Sequence, residues 1–395
     1  MKVSVVGCSL GDYIFTGIDF ASADFVKYSS KVPGDGGIVP GQLVFGDALC
    51  AYSGVSLEKI LKDLAGTTEP DKFNLGGPAI VACINASQLA GDDCQYSFYG
   101  KIGDDDTGRR MMKIISSTSV DIANYVSGSG MSPFTWVLSD PGYHNGKGER
   151  SFINNIGTAG EYCDLPDSFY EADVHFYGAT ALTPGIHDKL SVFLKKSREF
   201  GKITMVSTVF DFRNEFRDPA GRWPMGDGDE AYRYIDLLAV DWDEAVRLSG
   251  RDEVNAIVSF FFEKGVGSVV ITHGAKDFYA ASAGTLFKSF ALKALPVAAC
   301  IDEYLAEDPS RRGDTTGCGD NFAGGLLTGI VRELQAGKVR GELSLHEACT
   351  WAGVSGGFAC TTVGGTYLES APGEKLAATA DFAMKYRKQL APYFE

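Results

Sequence analysis

The sequence predicts an α/β fold: a mostly parallel sheet with helices on both faces, carrying a small β-sheet lid, in a single domain over 1–395. Three observations carry that expectation. Short β-branched or aromatic runs alternate with stretches of helical periodicity, the pattern of successive βαβ units. Glycine is abundant, 48 of 395 residues, and it gathers in short clusters where backbone can approach a ligand. Two stretches, approximately 13–73 and 127–160, break the rhythm with turns and short strands, as a lid over the main sheet would.

In chain order, VSVVG (3–7) reads as the first strand, because one lysine and a short apolar run closed by Asp12 fail as a secretory signal. The first excursion holds PGDGGIVPG (33–41) and a helical pattern near 56–65. A helical pattern at 79–90, strand-like QYSFYG (95–100) and a second helical pattern at 107–116 lead to the excursion 127–160. Beyond it come the strand-like VHFYG (174–178), ITMVSTV (203–209), DLLAV (236–240) and SVVIT (268–272), with helical patterns at 187–200, 252–264, 321–335 and 345–360. In such sheets ligands sit beyond the carboxyl ends of the strands, so the Gly-rich strand-to-helix turns are where chemistry is expected.

Charge and cysteine content exclude several classes. Lys and Arg number 36 against 51 Asp and Glu, a net charge of −15, which offers duplex DNA or RNA no electrostatic footprint. Any anionic substrate has to be held by local donors. The nine cysteines are odd in number, scattered and never spaced C-x-x-C, so neither a disulfide framework nor a thiolate zinc site is expected. No run reaches the ~18 apolar residues of a membrane helix, and a reduced cytoplasmic location is the expectation.

The strongest motif is Asp314-Thr315-Thr316-Gly317-Cys318-Gly319-Asp320, leading into a helix that carries Phe322, Leu326, Leu327, Ile330, Val331 and Leu334 on one face. The motif is therefore a tight turn feeding the amino terminus of a core-packed helix. Gly317, Cys318 and Gly319 present backbone N–H groups with little side chain in the way, and the helix dipole adds partial positive charge. Such a turn stabilises a phosphoryl group in flight, and Asp320 beside it is placed to take a proton from an attacking hydroxyl. The plainer reading makes Asp320 a helix N-cap. Capping explains neither the two glycines flanking a small residue nor the preceding Asp-Thr-Thr.

DTTGCGDNFAGG resembles the carboxy-terminal signature of the ribokinase, or PfkB, family of sugar and nucleoside kinases. The resemblance extends along the chain from residue 7 to about 365. Asp12 stands five residues after Gly7, where family members place a carboxylate on sugar hydroxyls. Gly76-Gly77 is similar to the substrate-binding diglycine, Gly103 to Gly108 to the G-x-D-x-x-G turn, and Gly148-Glu149-Arg150 to the lid motif that brings an arginine toward phosphates or substrate. Asp241-Trp242-Asp243-Glu244 is similar to the N-x-x-E region, and Thr272-His273-Gly274 to the strand end that touches nucleotide phosphates. Three departures stand out: Pro78 to Val81 follow the diglycine where an asparagine is usual, Cys318 replaces alanine, and Asp241 replaces asparagine.

The resemblance implies a ribokinase-like kinase that moves the γ-phosphoryl group of ATP to a hydroxyl of a sugar or sugar-like molecule. Asp320 would be the general base, and the N–H groups of Gly317, Cys318 and Gly319 the anion hole. Asp12, Gly76, Gly77 and Arg150 would meet the substrate; Thr272, Gly274, Thr315 and Gly353 the nucleotide. Asp241 and Glu244 would organise hydrated Mg²⁺ in the nucleotide site, and oxygens around Asp314 and Thr316 would hold K⁺. The alternatives are a nucleoside kinase and a catalytically silent sugar or nucleotide sensor. A homodimer through the lid is allowed by the apolar residues in 38–52.

Other motifs fail. Gly146-Lys147 lacks P-loop spacing, His346-Glu347 lacks a second histidine, and no G-x-G-x-x-G follows a strand. Gly353-Val354-Ser355-Gly356-Gly357 matches G-x-S-x-G, but it sits in a helical run with no histidine downstream. Asp211, Arg213 and Trp223 resemble a family segment after a central strand and are expected to be structural.

Overall fold

The computed structural model describes residues 1–91, 93–143 and 148–395; the Gly146-Lys147 pair lies outside the described residues. Fourteen strands form two sheets among the described residues: β1 (Lys2–Gly7), β2 (Leu10–Phe15), β3 (Leu43–Phe45), β4 (Lys72–Gly76), β5 (Gln95–Gly103), β6 (Tyr125–Gly128), β7 (Phe134–Asp140), β8 (Glu149–Asn155), β9 (Val174–Gly178), β10 (Ile203–Ser207), β11 (Leu237–Asp241), β12 (Ser268–Thr272), β13 (Phe278–Ser282) and β14 (Phe290–Leu295). The large sheet has the order β14-β13-β12-β11-β10-β9-β1-β5-β6, parallel from β12 to β6, with β13 and β14 antiparallel at one edge.

Consecutive residues of its central strands go to opposite faces, and both faces are buried. Phe176, Met205 and Leu237 join one core with the helices Pro78–Leu89, Cys318–Gln335 and Leu345–Ala359. Tyr177, Val206 and Leu238 join the other with the helices Leu190–Glu199, Trp242–Ser249 and Val254–Glu263. That double burial is why these strands read as unbroken β-branched and aromatic runs. The long Cys318–Gln335 helix lies close to its neighbours through glycine. A Cβ at Gly324 would stand 2.6 Å from Ala82 O, and one at Gly325 would stand 2.3 Å from Trp351 O. Larger residues would push the helix, and with it Asp320, away from the sheet.

The small sheet, β3-β8-β7-β2-β4, takes strands from both predicted excursions. It is wider than 13–73 and 127–160 imply, since β2 starts at Leu10 and β4 ends at Gly76. Residues 127 and 128 belong instead to β6 of the large sheet. Only one helix was expected in the first excursion; the chain has three there, Ala23–Tyr28, Gly46–Ser53 and Leu57–Ala65. They cover one face of the small sheet, burying Phe25, Leu49, Ile60 and Leu61 against Phe15, Val44, Leu138 and Ile153. The opposite face is left for the large sheet's turns. The predicted helix 187–200 is two helices, Pro184–His187 and Leu190–Glu199, separated at Lys189 with φ −134°. Among the described residues no helix is long and apolar enough to cross a membrane.

Candidate active site

The helix Cys318–Gln335 begins without a side-chain cap. Gly317 is its N-cap at φ 74° and ψ 8°, a left-handed conformation that other residues resist, and a Cβ there would stand 2.6 Å from Gly365 Cα. The first-turn N–H groups have no acceptor within the helix. Cys318 N reaches only Thr315 O at 3.4 Å, and a Cβ at Gly319 would meet nothing within 4 Å. Asp320 is the third helical residue rather than the cap, and among the described residues no hydrogen bond holds its carboxyl. Burial pushes that carboxyl up to about 7, opposed by the Arg150 guanidinium. The side chain still keeps some contact with solvent.

Arg150 reaches this turn from β8 of the small sheet, where its Nη1 donates to Thr316 Oγ1 at 3.0 Å. Asp12 comes from β2 of the same sheet. Its carboxyl is 5% exposed and pushed well up by burial, then by Asp320 and Asp314. Asp320 and Asp314 thus act on Asp12, and Arg150 on Asp320, where the two sheets meet. Gly76 makes room for Asp12, and Gly77 at φ 94° caps the helix Pro78–Leu89, with Pro78 in its first turn.

Strand register adds residues that sequence reasoning missed. Asn74, Asp12, Thr135 and Asn154 are paired neighbours across β4, β2, β7 and β8, and Phe45 of β3 pairs with Asn154. Paired residues share a sheet face, so this is a polar row ending in an aromatic ring. All four polar members are buried. Among the described residues, Thr135 Oγ1 lies beside the Asp12 carboxyl but outside hydrogen-bonding geometry, and Asn154 Oδ1 also lacks a partner. Buried polar atoms rarely stay unpaired; these two face the side from which Arg150 projects.

Asp241 and Glu244 lie at the carboxyl end of β11. They form a capping box on the helix Trp242–Ser249: Glu244 N donates to Asp241 Oδ1 at 2.8 Å and Asp241 N to Glu244 Oε2 at 3.4 Å. Thr208 also donates to Glu244. Burial, then Asp241 and Asp320, push the Glu244 carboxyl well up; burial pushes Asp241 up less, and Asp241 remains exposed. The donors are hard oxygens, and no lysine or arginine among the described residues pairs with Glu244, which fits a hydrated Mg²⁺ that keeps water and phosphate ligands. No cluster of three or more acidic, His or Cys groups able to hold a metal occurs among the described residues.

Thr272 ends β12 and Gly274 follows at φ 59°. Between them His273 stacks on Trp242, ring centroids 5.0 Å apart and 12° between planes, a flat pair that the sequence reading did not single out. Thr315 is exposed in the turn before the helix Cys318–Gln335.

At three of the expected places the residues also have structural work. The Asp314 carboxylate accepts from Thr316 N at 2.8 Å and from Gly364 N at 3.3 Å, and the Thr316 hydroxyl accepts from Arg150. These side chains tie loops together, so any K⁺ held here would have to draw on other oxygens around Asp314 and Thr316 as well. Gly353, expected at the nucleotide rim in a run also suited to close helix packing, leaves room for Tyr386: a Cβ there would stand 2.4 Å from that ring on the helix Glu374–Phe394. In the turn Gly103 to Gly108, Asp105 accepts from Gly108 N at 2.8 Å and from Ser132 N at 2.9 Å, which makes it a cap and a loop tie. Another missed residue, Lys375, is buried and donates to Asn321 Oδ1 at 3.1 Å; Asn321 Nδ2 in turn donates to Gly317 O at 2.8 Å and Gly365 O at 2.9 Å.

The family model for pfkB family carbohydrate kinases matches residues 43–371. The chain belongs to that family. This PfkB-family chain is 24% identical over 308 residues to a probable fructokinase-7 of Arabidopsis thaliana, covering 73% of this chain and 78% of that one. It is 31% identical over 112 residues to a ribokinase of Haemophilus influenzae, covering 27% of this chain and 31% of that one. Among solved structures it resembles an adenosine kinase from Sinorhizobium meliloti with a TM-score of 0.68 and 17% identity, covering 96% and 99% of the two chains. An Arabidopsis thaliana ribokinase complexed with ribose and ATP matches with a TM-score of 0.60 and 15% identity, covering 98% of each chain. The ribokinase-like fold is thus shared with both kinds of kinase, and the family places the protein among carbohydrate and nucleoside kinases.

Proposed function

We propose that the protein transfers the γ-phosphoryl group of ATP to a hydroxyl of a sugar or sugar-like acceptor, with Asp320 as general base. The observation that carries this reading is the Asp320 carboxyl, unpartnered, pushed up to about 7 and set in the first turn of a helix whose amino end has no side-chain cap. As the acceptor oxygen attacks the γ-phosphorus, its proton passes to Asp320 and the bond from phosphorus to the leaving ADP oxygen breaks. N–H groups of Gly317 to Gly319 steady the charge on the moving phosphoryl oxygens. Arg150 stands across the turn as the local cation in a strongly acidic chain. Mg²⁺ bound through water to Asp241 and Glu244 would neutralise phosphate charge.

Asp12 and the unpaired atoms of Thr135 and Asn154 supply a row of hydrogen-bonding groups suited to vicinal hydroxyls. In this role Asn154 takes the place of the asparagine absent after Gly77. ATP consumption over hexoses, pentoses, keto-sugar acids and nucleosides tests the proposal, with Asp320→Asn as control. Full turnover in that variant would remove the base assignment, and no turnover with any acceptor would favour the sensor.

One observation favours a nucleoside as second reading. The polar row ends at Phe45, whose ring lies 4.9 Å from that of Phe212, and Phe212 with Phe210, Gln42 and Leu43 lines a cleft of 380 Å³. A ribose over the row with a flat base toward those rings fits this layout, and the nucleoside arm of the panel decides it.

A further inference from the structure

Two thiols meet at the foot of the anion-binding turn. Cys318 opens the helix Cys318–Gln335, Cys360 caps the end of Leu345–Ala359, and their sulfur atoms stand 3.5 Å apart across 42 positions of sequence. Gly313 N donates to Cys360 O at 2.8 Å, so the segment before the turn is already fastened to this helix end. Both cysteines are partly exposed, whereas Cys8, Cys83 and Cys349 are buried. The Cys318 thiol holds Cys360 below the ordinary thiol range, helped by Arg312 and Arg150, while burial pushes the thiols of Cys8, Cys83 and Cys349 up. A partly exposed sulfur beside cations, with a second thiol in contact, is the setting in which oxidation ends in a disulfide.

We propose that Cys318 and Cys360 are a site of reversible oxidation, joined by hydroperoxides into a disulfide that distorts the anion-binding turn. The Cys360 sulfur attacks one peroxide oxygen; an S–O bond forms, the O–O bond breaks, and the departing hydroxide takes the thiol proton as water. The Cys318 sulfur then attacks that sulfur, an S–S bond replaces the S–O bond, and hydroxide leaves with the second thiol proton. Two thiols and one hydrogen peroxide give one disulfide and two waters, with two electrons passing from sulfur to oxygen. An S–S bond is about 2.05 Å long, so the sulfurs close by roughly 1.5 Å. That movement falls on the first helical residue, between Gly317 and Gly319. The loss of turnover rests on the function proposed above; the crosslink does not.

The test uses the reduced full chain, treated with hydrogen peroxide, blocked at remaining thiols, digested with trypsin and read by mass spectrometry, with ATP turnover followed in the same samples. The expected product links peptide 313–332, which contains Cys318, to peptide 341–375, with fragmentation placing the bond at Cys360 rather than Cys349. Turnover is expected to fall at least about tenfold in step with the crosslink, and dithiothreitol to restore it. Cys360→Ala is expected to keep the turnover of the reduced protein and to resist peroxide. Oxidised Cys318 or Cys360 without the linked peptide overturns the site, and a complete crosslink with full turnover overturns its action on the turn. Should no acceptor give turnover even when reduced, the linked peptide alone decides the thiol chemistry: its presence supports the site and its absence overturns it.

Discussion

A Cβ atom on Gly76 would stand 2.0 Å from Oδ2 of Asp12, so the Asp12 carboxyl lies directly against bare backbone of the neighbouring strand. Gly76→Ala therefore forces the Asp12 side chain out of its present rotamer. Steady-state kinetics are expected to show the acceptor KM raised about tenfold with kcat less affected, and thermal melts a loss of about 1–3 kcal/mol from overpacking. An unchanged KM would separate Asp12 from acceptor binding.

As the proposed base, the Asp320 carboxyl, pushed up to about 7, would give the reaction a pH limb. A base works only when ionised, so kcat/KM is expected to fall as pH drops below about 7, tenfold per unit. Asp320→Asn is expected to lose the limb together with about 10²–10⁴ in kcat. A profile flat down to about pH 5 in the parent would contradict the assignment.

Arg150 opposes the upward push on Asp320 and donates to Thr316. Arg150→Met is expected to move the limb to higher pH and to lower kcat by about 10–10², while Arg150→Lys restores the limb more than the rate, since a lysine supplies the charge without the fork. Paired pH profiles of the two variants check this. A limb that stays put in Arg150→Met would show that the guanidinium does not act on the base.

The same carboxyl weakens the fold. Because its folded value lies above the unfolded one, the folded chain keeps this proton where the unfolded chain releases it; stability is fully present below about pH 4 and is lost as pH rises through about 7. Asp320→Asn is then expected to raise the unfolding free energy at about pH 8 by on the order of 1–2 kcal/mol, reduced by the water that reaches the group, and to change little at about pH 4. Calorimetry at both pH values checks the sign, and a variant melting lower than the parent at the higher pH would refute it.

The large sheet was legible because Phe176, Met205 and Leu237 sit on strands buried on both faces, which leaves unbroken apolar runs in the sequence. The turn at Gly317 was legible because its special backbone needs glycine. The row Asn74, Asp12, Thr135 and Asn154 was not, since it draws one residue from each of four strands whose register is set only by tertiary pairing. Gly353 could be read two ways from sequence for a related reason. Glycine serves close helix packing as well as ligand approach, and only the Tyr386 ring beside it separates the two uses. The capping box at Asp241 and Glu244 could have been read from its D-x-x-E spacing.

The contact between Lys375 and Asn321 has a consequence for how the protein is made. Burial brings the lysine down to about 7, and it steadies the asparagine that braces Gly317 and Gly365. Asn321 leaves the ribosome 54 residues before the lysine that braces it. The turn at Gly317 is thus completed only once Lys375 has been made, and a product truncated ahead of Lys375 carries the signature motif without the support that shapes it.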